Sequence, residues 1–321
     1  MKYLAYILGI ILLFTFVAGN ATAEENDLNI VCTNSILSDF TSNLIKENVS
    51  IEYIMPSGVC PAVYDTTPSD ISKVINADII ISFGSASMEP WLSGILGYNE
   101  NYDLIECKDM GEWNIPSGAR AYVQYIAEKL REIHPELNET IKANTESYLN
   151  QINETASSLQ EIIKTKGYQD KKVVSMLWQK DFLEWLGLNV TYSYGPPQTL
   201  SAQDEINVID AASENGVCVV VDNLQSGTSF GAKIASETGI SHVIFTNFPG
   251  AIPGTDNYLD MITYNTNQLV EGMETYEYKQ GDILTLENQI KNLETERNIS
   301  IVFAIIFAVL IFALYAMYKR K

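Results

Sequence analysis

Short apolar runs alternate with longer amphipathic stretches along most of the chain, and this alternation predicts an α/β protein. The apolar runs have strand length, whereas the stretches between them repeat apolar residues at helical spacing. Apolar strands separated by helices indicate parallel βα units with helices on both faces of a sheet. The predicted strands are 28–32, 50–55, 77–82, 102–107, 172–176, 189–193, 217–222 and 242–246.

Polar residues and one glycine predict where several helices begin and end. Ser69 is the expected N-cap of a helix over 70–76, and Ser201 is the expected cap of the helix before the seventh strand. A further helix is expected over 35–45, directly after the first strand. Gly239 marks the end of the helix before the eighth strand.

The middle of the chain is helical for an unusually long stretch. The spacing from Ser117 to Lys166 is helical and is interrupted at His134-Pro135, where proline ends one helix and starts the next. The second stretch, Leu137 to Lys164, has about 28 residues and predicts a helix of ~42 Å, enough to extend along two lobes. The predicted fold is therefore two βα lobes with parallel sheets, joined by one long rigid helix.

Both ends of the chain carry membrane-related signals. The apolar run Leu4–Val17 and the small-residue triplet Ala21-Thr22-Ala23 predict a cleaved signal peptide. Ile299–Tyr318 is apolar apart from one serine and is long enough to cross a bilayer core of ~30 Å. The closing Lys319-Arg320-Lys321 is expected to stay in the cytoplasm, which leaves an extracellular N-terminal ectodomain on a single membrane-spanning helix.

A short segment before the predicted membrane helix has a coiled-coil spacing. Ile283, Leu286, Ile290 and Leu293 follow one another at intervals of three, four and three residues and predict a helical stalk, which either pairs with another stalk or packs on the ectodomain. The predicted organisation is a signal peptide over 1–23, an N-terminal lobe over 24–136, a linker helix over 137–166, a C-terminal lobe over 167–275, a stalk over 276–298, a membrane helix over 299–318 and a basic tail over 319–321.

Composition and charge exclude some classes of function. The chain has 321 residues and 46% hydrophobic residues, which is sufficient for a core and too many for a disordered protein. The terminal segments 1–23 and 299–321 contain four of the 20 basic residues and none of the 40 acidic ones. Residues 24–298 therefore carry a net charge of −24. Such a surface excludes a nucleic-acid partner. Asn-x-Ser/Thr triplets at Asn48, Asn138, Asn153, Asn189 and Asn298 agree with an extracellular glycoprotein.

Three motifs in the first half resemble the metal-binding receptors of zinc and manganese ABC importers. The likeness extends from about Leu28 to Met273. It implies an extracellular solute-binding receptor that delivers a metal ion to an ABC permease, with a long helix as a rigid spine and the metal bound in the cleft between two lobes. The motifs are the opening strand and helix at 30–40, the loop Pro56-Ser57-Gly58-Val59-Cys60-Pro61-Ala62-Val63-Tyr64, and the pair Ala77-Asp78-Ile79-Ile80 and Met88-Glu89-Pro90-Trp91-Leu92.

The resemblance implies four metal ligands, and this chain has replaced all of them. The positions that hold histidines or acids in the family fall on Ala62, on Gly111 before Glu112-Trp113, on Met176 and on Asn247. Because alanine and glycine side chains cannot coordinate a metal ion, the family's zinc site is expected to be absent. His134 and His242 are expected at a helix end and at the start of a strand, away from the cleft.

Sulfur offers a different metal chemistry. Cys32 and Cys107 end predicted strands, Cys60 lies two residues before Ala62, and Met176 occupies a ligand position. Sulfur ligands at one sheet edge would favour a soft ion such as Cu(I). Exported proteins also pair their cysteines, and we favour a disulfide, with Cys60 and Cys107 as the expected pair, or uncoordinated thiols over a sulfur site.

A third interpretation is a pocket for a metal chelate or an organic solute. Its expected aromatic lining is Tyr64, Trp113, Trp178 and Tyr194, with polar contacts from Glu112, Asn247 and Asp222. Glu112 is also the one acid beside a lost ligand position. No serine-hydrolase elbow, phosphate loop or zinc-protease motif occurs in the sequence, so no enzymatic activity is predicted. The predicted function is a membrane-anchored solute-binding receptor with a degenerate or rebuilt site, and the alternative is a surface scaffold or adhesin that has lost its ligand.

Overall fold

The structure is a computed structural model that describes residues 28–319. The predicted signal peptide and the last two residues of the basic tail lie outside these residues. The chain divides into two compact units: the first comprises the residues up to 158 together with 246–262, and the second comprises 159–245 and the residues from 263 onward. The sequence assigned 246–262 to the C-terminal lobe, whereas in the structure this segment packs with the first unit.

The first unit contains a parallel sheet of four strands in the order β2-β1-β3-β4. The central strand β3 is buried along its whole length, and its isoleucines form the core with side chains from the flanking helices. The strands are β1 Leu28–Cys32, β2 Val49–Tyr53, β3 Ile79–Ser82 and β4 Asp103–Glu106, and the helices are α1 Ser35–Ser42, α2 Pro68–Ile75, α3 Leu92–Leu96 and α4 Pro116–Ile133.

The second unit repeats this topology, with a parallel sheet in the order β6-β5-β7-β8. Every residue of β7 is buried. The strands are β5 Lys172–Met176, β6 Asn189–Tyr194, β7 Val217–Asn223 and β8 Ser241–Phe245, and the helices are α6 Lys180–Trp185, α7 Ala202–Ala212 and α8 Ser229–Thr238. All eight predicted strands are present, and their ends differ from the predicted ends by at most two residues.

Two long helices complete the chain. The first, α5 Asn138–Thr165, carries the chain from the first unit to the second and confirms the predicted long helix. The last, α9 Tyr258–Lys319, has 62 residues and contains the predicted stalk and the predicted membrane segment in one uninterrupted helix. Within residues 28–319 it is the one helix that is long and apolar enough to cross a membrane.

A buried carboxylate holds both long helices to the first unit. Asp39 on α1 accepts a hydrogen bond at Oδ2 from the Tyr148 hydroxyl of α5 at 3.0 Å. The same oxygen accepts the backbone N–H of Tyr258, the first residue of α9, also at 3.0 Å. Burial raises the pKa of Asp39 to about 6, and these two hydrogen bonds oppose that rise.

The predicted helix signals hold with one correction. Ser201 caps α7 through a reciprocal capping box with Asp204, and Gly239 ends α8 in the left-handed conformation, as predicted. The N-cap of α2 is Thr67 and not Ser69, because Pro68 occupies the first helical position, where its missing N–H costs nothing. Thr67 and Asp70 form a capping box, and Thr67 lies two residues before the predicted cap.

A buried polar network fixes the core of the second unit. Asp222 at the end of β7 is fully buried and accepts hydrogen bonds from the Tyr194 hydroxyl at 2.6 Å and from the Gly231 N–H at 2.9 Å. His242 Nε2 lies 2.8 Å from Asp222 Oδ2, the oxygen that also accepts the Gly231 N–H. Tyr194 and Asp222 are therefore core residues and not the pocket contacts suggested by the sequence, and His242 is a packing residue.

Gly231 is required by this network, since a Cβ there would overlap Asp222 Oδ2 and lie 2.8 Å from His242 Nε2. We expect Gly231→Ala to lower the free energy of unfolding by about 1–3 kcal/mol. The control is Gly281→Ala on α9, where a Cβ meets nothing within 4 Å and alanine favours the helix. Calorimetric melting temperatures check both variants, and an unchanged Gly231→Ala would contradict the assigned role of the network.

Candidate functional site

Two of the implied metal-ligand positions lie in loops of the first unit and present no donor atoms. Ala62 is exposed in a short 3-10 turn, Pro61–Val63, that follows β2. Gly111 is exposed in the loop after β4 and has a left-handed backbone with φ of 78°. A Cβ built on Gly111 would meet nothing within 4 Å, so the place of the lost side chain is open space.

The backbone around Gly111 is itself unsuited to a histidine. Asp109, two residues earlier, also has a positive φ, 54°. A left-handed conformation costs a residue with a Cβ roughly 1–2 kcal/mol. The loop is further fixed by Gly118 on α4, where a Cβ would overlap the carbonyl oxygen of Glu112. A histidine at position 111 would therefore have to adopt this left-handed conformation.

The position of Asn247 is built into an aromatic cluster of the first unit. Trp113 donates its indole N–H to the backbone oxygen of Asn247 at 2.9 Å. Its ring stacks on Phe83 at 4.5 Å and lies 5.6 Å from Phe248. Asn247 itself is only 6% exposed. Trp113, expected to line a pocket, is thus a core residue that holds the segment beginning at Thr246 to the first unit.

Met176 lies in the second unit and is fully buried at the end of β5. Its side chain belongs to the core cluster that contains Val174, Tyr194, Val220 and Phe230. The neighbouring Trp178 is 40% exposed and is the one predicted pocket aromatic with a large accessible surface. A thioether enclosed by aliphatic and aromatic carbons is a packing group, and this placement does not support Met176 as a ligand.

The cysteines do not form a thiolate centre. All four are free, so the expected pair of Cys60 and Cys107 is not joined. Cys32 and Cys107 are buried, and burial raises the pKa of Cys32 to about 12 and the pKa of Cys107 further. Metals bind the thiolate form. No group of three or more His, Cys, Asp or Glu side chains among residues 28–319 is arranged to hold a metal ion.

Tyr64 is occupied by a structural role. Its hydroxyl donates to Asp70 Oδ2 at 2.7 Å, the same oxygen that caps the start of α2. Its ring meets Trp91 edge-on at 5.4 Å, and the Trp91 indole N–H donates to the carbonyl of Pro61 at 3.0 Å. These contacts fix the turn that presents Ala62. Tyr64 therefore supports the loop of the candidate site and does not offer it a free hydroxyl.

Comparison with known proteins identifies the family. The family described as "ZnuA: Zinc-uptake complex component A periplasmic" matches residues 30–272, about three quarters of the chain. The chain belongs to this family. Its members are substrate-binding receptors of metal ABC importers, and the predicted family and fold are confirmed.

Individual relatives agree with this family. The chain is 26% identical over 278 residues to the manganese-binding lipoprotein MntA of Halalkalibacterium halodurans, covering 78% of this chain and 91% of that protein. It is 25% identical over 316 residues to the iron ABC transporter substrate-binding lipoprotein MtsA of Streptococcus pyogenes, covering 85% and 99%. A Cd-bound periplasmic metal binding protein from Candidatus Liberibacter asiaticus has the same fold, with a TM-score of 0.67, 18% identity and coverage of 77% and 99%.

One buried carboxyl group of the first unit, that of Glu89, is not among the predicted site residues. Glu89 is 5% exposed, and its Oε2 accepts the N–H of Gly84 at 3.2 Å. Its Oε1 has no hydrogen-bond partner within the described part of the chain. Burial raises its pKa to about 7, although hydrogen bonds from Thr33 and the backbone oppose the rise. Glu89 is the one charged residue between Asp78 and Glu100, a signal that the sequence does contain.

Glu89 makes stability depend on pH in a defined direction. The pKa of Glu89 is 4.5 in the unfolded chain and about 7 in the folded chain. The folded chain therefore binds the proton more tightly, and it loses stability as pH rises between those values. We expect Glu89→Gln to remove this dependence and to raise the free energy of unfolding at pH 8 by roughly 2–3 kcal/mol. Melting temperatures from pH 4.5 to 8 measure it, with the exposed Glu100→Gln as the control. Parallel profiles for Glu89→Gln and the unmodified chain would contradict the assignment.

Proposed function

We propose that this chain is the membrane-anchored, extracellular receptor of a metal-type ABC importer and that it takes its metal as a chelate. The observation that carries the proposal is the pair Ala62 and Gly111, which replaces two expected ligands of the first unit with an exposed methyl group and with open space. A bare ion such as Zn²⁺ needs about four protein donors. A chelate brings its own donors and needs room instead.

The charge of the chain narrows the chelate class. Residues 24–298 carry a net charge of −24, which repels anionic ligands and attracts cations over the whole surface. A neutral or cationic metal complex therefore suits this receptor better than a polycarboxylate complex. The relatives named above carry the names of manganese and iron, so the scaffold itself does not fix one metal.

The two other ligand hypotheses have weaker support. A Cu(I) site would need accessible thiolates, whereas Cys32 and Cys107 are buried with raised pKa values and Met176 is enclosed in the core. Glu112 and Cys60, both half-buried, are the remaining candidates for direct contacts with the ligand. A scaffold without any ligand is the outcome that a complete absence of binding would indicate.

Ligand binding is tested on the full chain in detergent. Thermal unfolding is recorded with Zn²⁺, Mn²⁺, Co²⁺ and Cu(I), and with the neutral bis-histidine complexes of Ni²⁺ and Cu²⁺. A complex at about 100 times its Kd should stabilise the fold by about 2.7 kcal/mol, whereas the bare ions should not. Stabilisation by Zn²⁺ alone would show that the ligand assignment is wrong, and stabilisation by Cu(I) alone would restore the sulfur site.

Restored donors should change the preference. We expect Ala62→His combined with Asn247→Asp to introduce a weak stabilisation by Zn²⁺ that the unmodified chain lacks, far below that of a complete four-donor site, because only two of the family's donor types return to their positions. The matched control is Val63→His with Asn247→Asp, since Val63 is 74% exposed on the same turn and is not a ligand position. Equal Zn²⁺ responses in the two double variants would argue against the assignment of Ala62.

Anchoring is proposed to reside in the C-terminal part of α9. The relatives are named lipoproteins, and in this chain the apolar segment 299–318, followed by three basic residues, would take over the anchoring role. We expect truncation after Asn298 to move the protein from the membrane to the soluble fraction, whereas truncation after Tyr318 should leave it anchored. Fractionation after alkaline carbonate extraction checks this, and a membrane-bound 298-residue chain would refute the assignment.

A further inference from the structure

A continuous apolar stripe lies on the stalk part of α9. The stripe, named here the stalk seam, consists of Ile283, Leu286, Ile290 and Leu293. These four side chains are 47%, 57%, 58% and 64% exposed. Four large aliphatic side chains on one face of a helix are therefore exposed to water, and their burial against a partner would be favourable.

The stalk seam has the pattern of a parallel two-stranded coiled coil. Its spacing assigns isoleucine to both a positions and leucine to both d positions of two heptads, the combination that favours two parallel helices. Lys279 occupies the d position before the seam and Arg297 the a position after it. A shift of one heptad between two such helices would place a charge against an aliphatic residue, so one register is preferred.

We propose that the stalk seam is a dimerisation surface and that its partner is a second copy of this chain, parallel and in register. The parallel arrangement rests on the proposed membrane anchoring, because two chains that enter one membrane by the same end have stalks pointing the same way. Two copies would remove eight large aliphatic side chains from water, which is the driving force for pairing.

The helix continues the same face into the predicted membrane segment. Ser300 follows Leu293 by seven residues, and Ala304 and Ala308 follow at intervals of four. At 100° per residue these small residues lie on the face of the stalk seam. Small residues spaced by four allow two membrane helices to approach closely. One two-fold axis can therefore serve both the water-exposed and the membrane-embedded parts of the helix.

The charges beside the seam predict how salt acts on the dimer. In the parallel register Asp282 would face Glu287 of the partner subunit, and both ectodomains are strongly acidic. Arg297 would lie beside the partner's Glu296, which favours this register. Arg297 at its a position would also face the partner's Arg297, and the two ectodomains of charge −24 repel each other, so repulsion exceeds this one attraction and salt should strengthen the dimer by screening. A basic partner helix of another protein would show the opposite dependence.

Disulfide cross-linking in vesicles tests the proposal. The full chain carrying Cys60→Ser, which removes the half-buried native thiol, receives either Leu293→Cys on the seam or Thr295→Cys, two residues and about 200° away. Each is reconstituted at low density in phosphatidylcholine vesicles and oxidised. We expect at least tenfold more covalent dimer for Leu293→Cys, a tenfold loss when Ile290→Lys is added, and more dimer at 500 mM than at 50 mM NaCl.

Equal cross-linking of the two cysteine variants, or dimer that decreases with salt, would overturn the homodimer. Ile290, Leu293 and Thr295 are exposed, and Cys60→Ser is common to both cysteine variants, so loss of folding would not explain a difference between them. Flotation of the same vesicles and the chelate melting shift are measured in parallel. A chain that floats and binds a chelate without cross-linking refutes the dimer alone, whereas a chain that does not float refutes the anchoring alone.

Discussion

The contact on which the rest of the first unit depends is the hydrogen bonding of Asp39. This one carboxylate joins a helix that follows the first strand to a hydroxyl on the long helix α5 and to the first N–H of α9. Burial of the charge acts against it and raises its pKa from 3.8 to about 6, equivalent to about 3 kcal/mol. The hydrogen bonds from Tyr148 and Tyr258 keep this rise from being larger, and because the resulting pKa stays below 7, Asp39 is mostly ionised at neutral pH.

This arrangement explains why a segment late in the chain belongs to the first unit. Tyr258 could not reach Asp39 unless 246–262 packed there, and the indole of Trp113 secures the start of that segment through the carbonyl of Asn247. The sequence contains no local signal for either contact. Asp39 and Tyr258 are separated by 219 residues, and period and propensity describe only neighbours within a few turns. Each predicted lobe was therefore one continuous stretch of chain, whereas the first unit of the structure combines two separate stretches.

The local elements, in contrast, were predictable. The inner strands of both sheets are largely buried apolar runs, and Ser201 and Gly239 act as cap residues of the expected kind. The N-cap at Thr67 was not predicted, because proline is accepted at the first helical position and the helix therefore begins earlier in the chain than expected. In the candidate site, the absence of donors at Ala62 and Gly111 follows from residue identity alone. The roles of Tyr64, Met176 and Trp113 could not be predicted from residue identity, because an aromatic ring or a thioether has the same sequence signature in a core as in a pocket.

The burial of Glu89 could not be predicted from the sequence pattern either. Its carboxyl group is buried next to the backbone that follows β3, where burial and not a neighbouring charge dominates its pKa. A carboxylate in that position is costly unless it is protonated or fully hydrogen-bonded, and one of its oxygens has no partner within the described residues. Its ionisation therefore acts on the stability of the first unit.

Family membership and metal chemistry are separable in this chain. The residues that carry the family likeness, such as Trp113 in its motif and Tyr64 in the loop, are engaged in packing and capping and hold the loops in place. The positions that would carry the metal, Ala62 and Gly111, contribute nothing to those contacts and are exposed. A scaffold whose loops are fixed by residues other than its ligands can exchange the ligands without losing the fold. The same independence makes the proposed change from a bound ion to a complexed metal compatible with an unchanged fold.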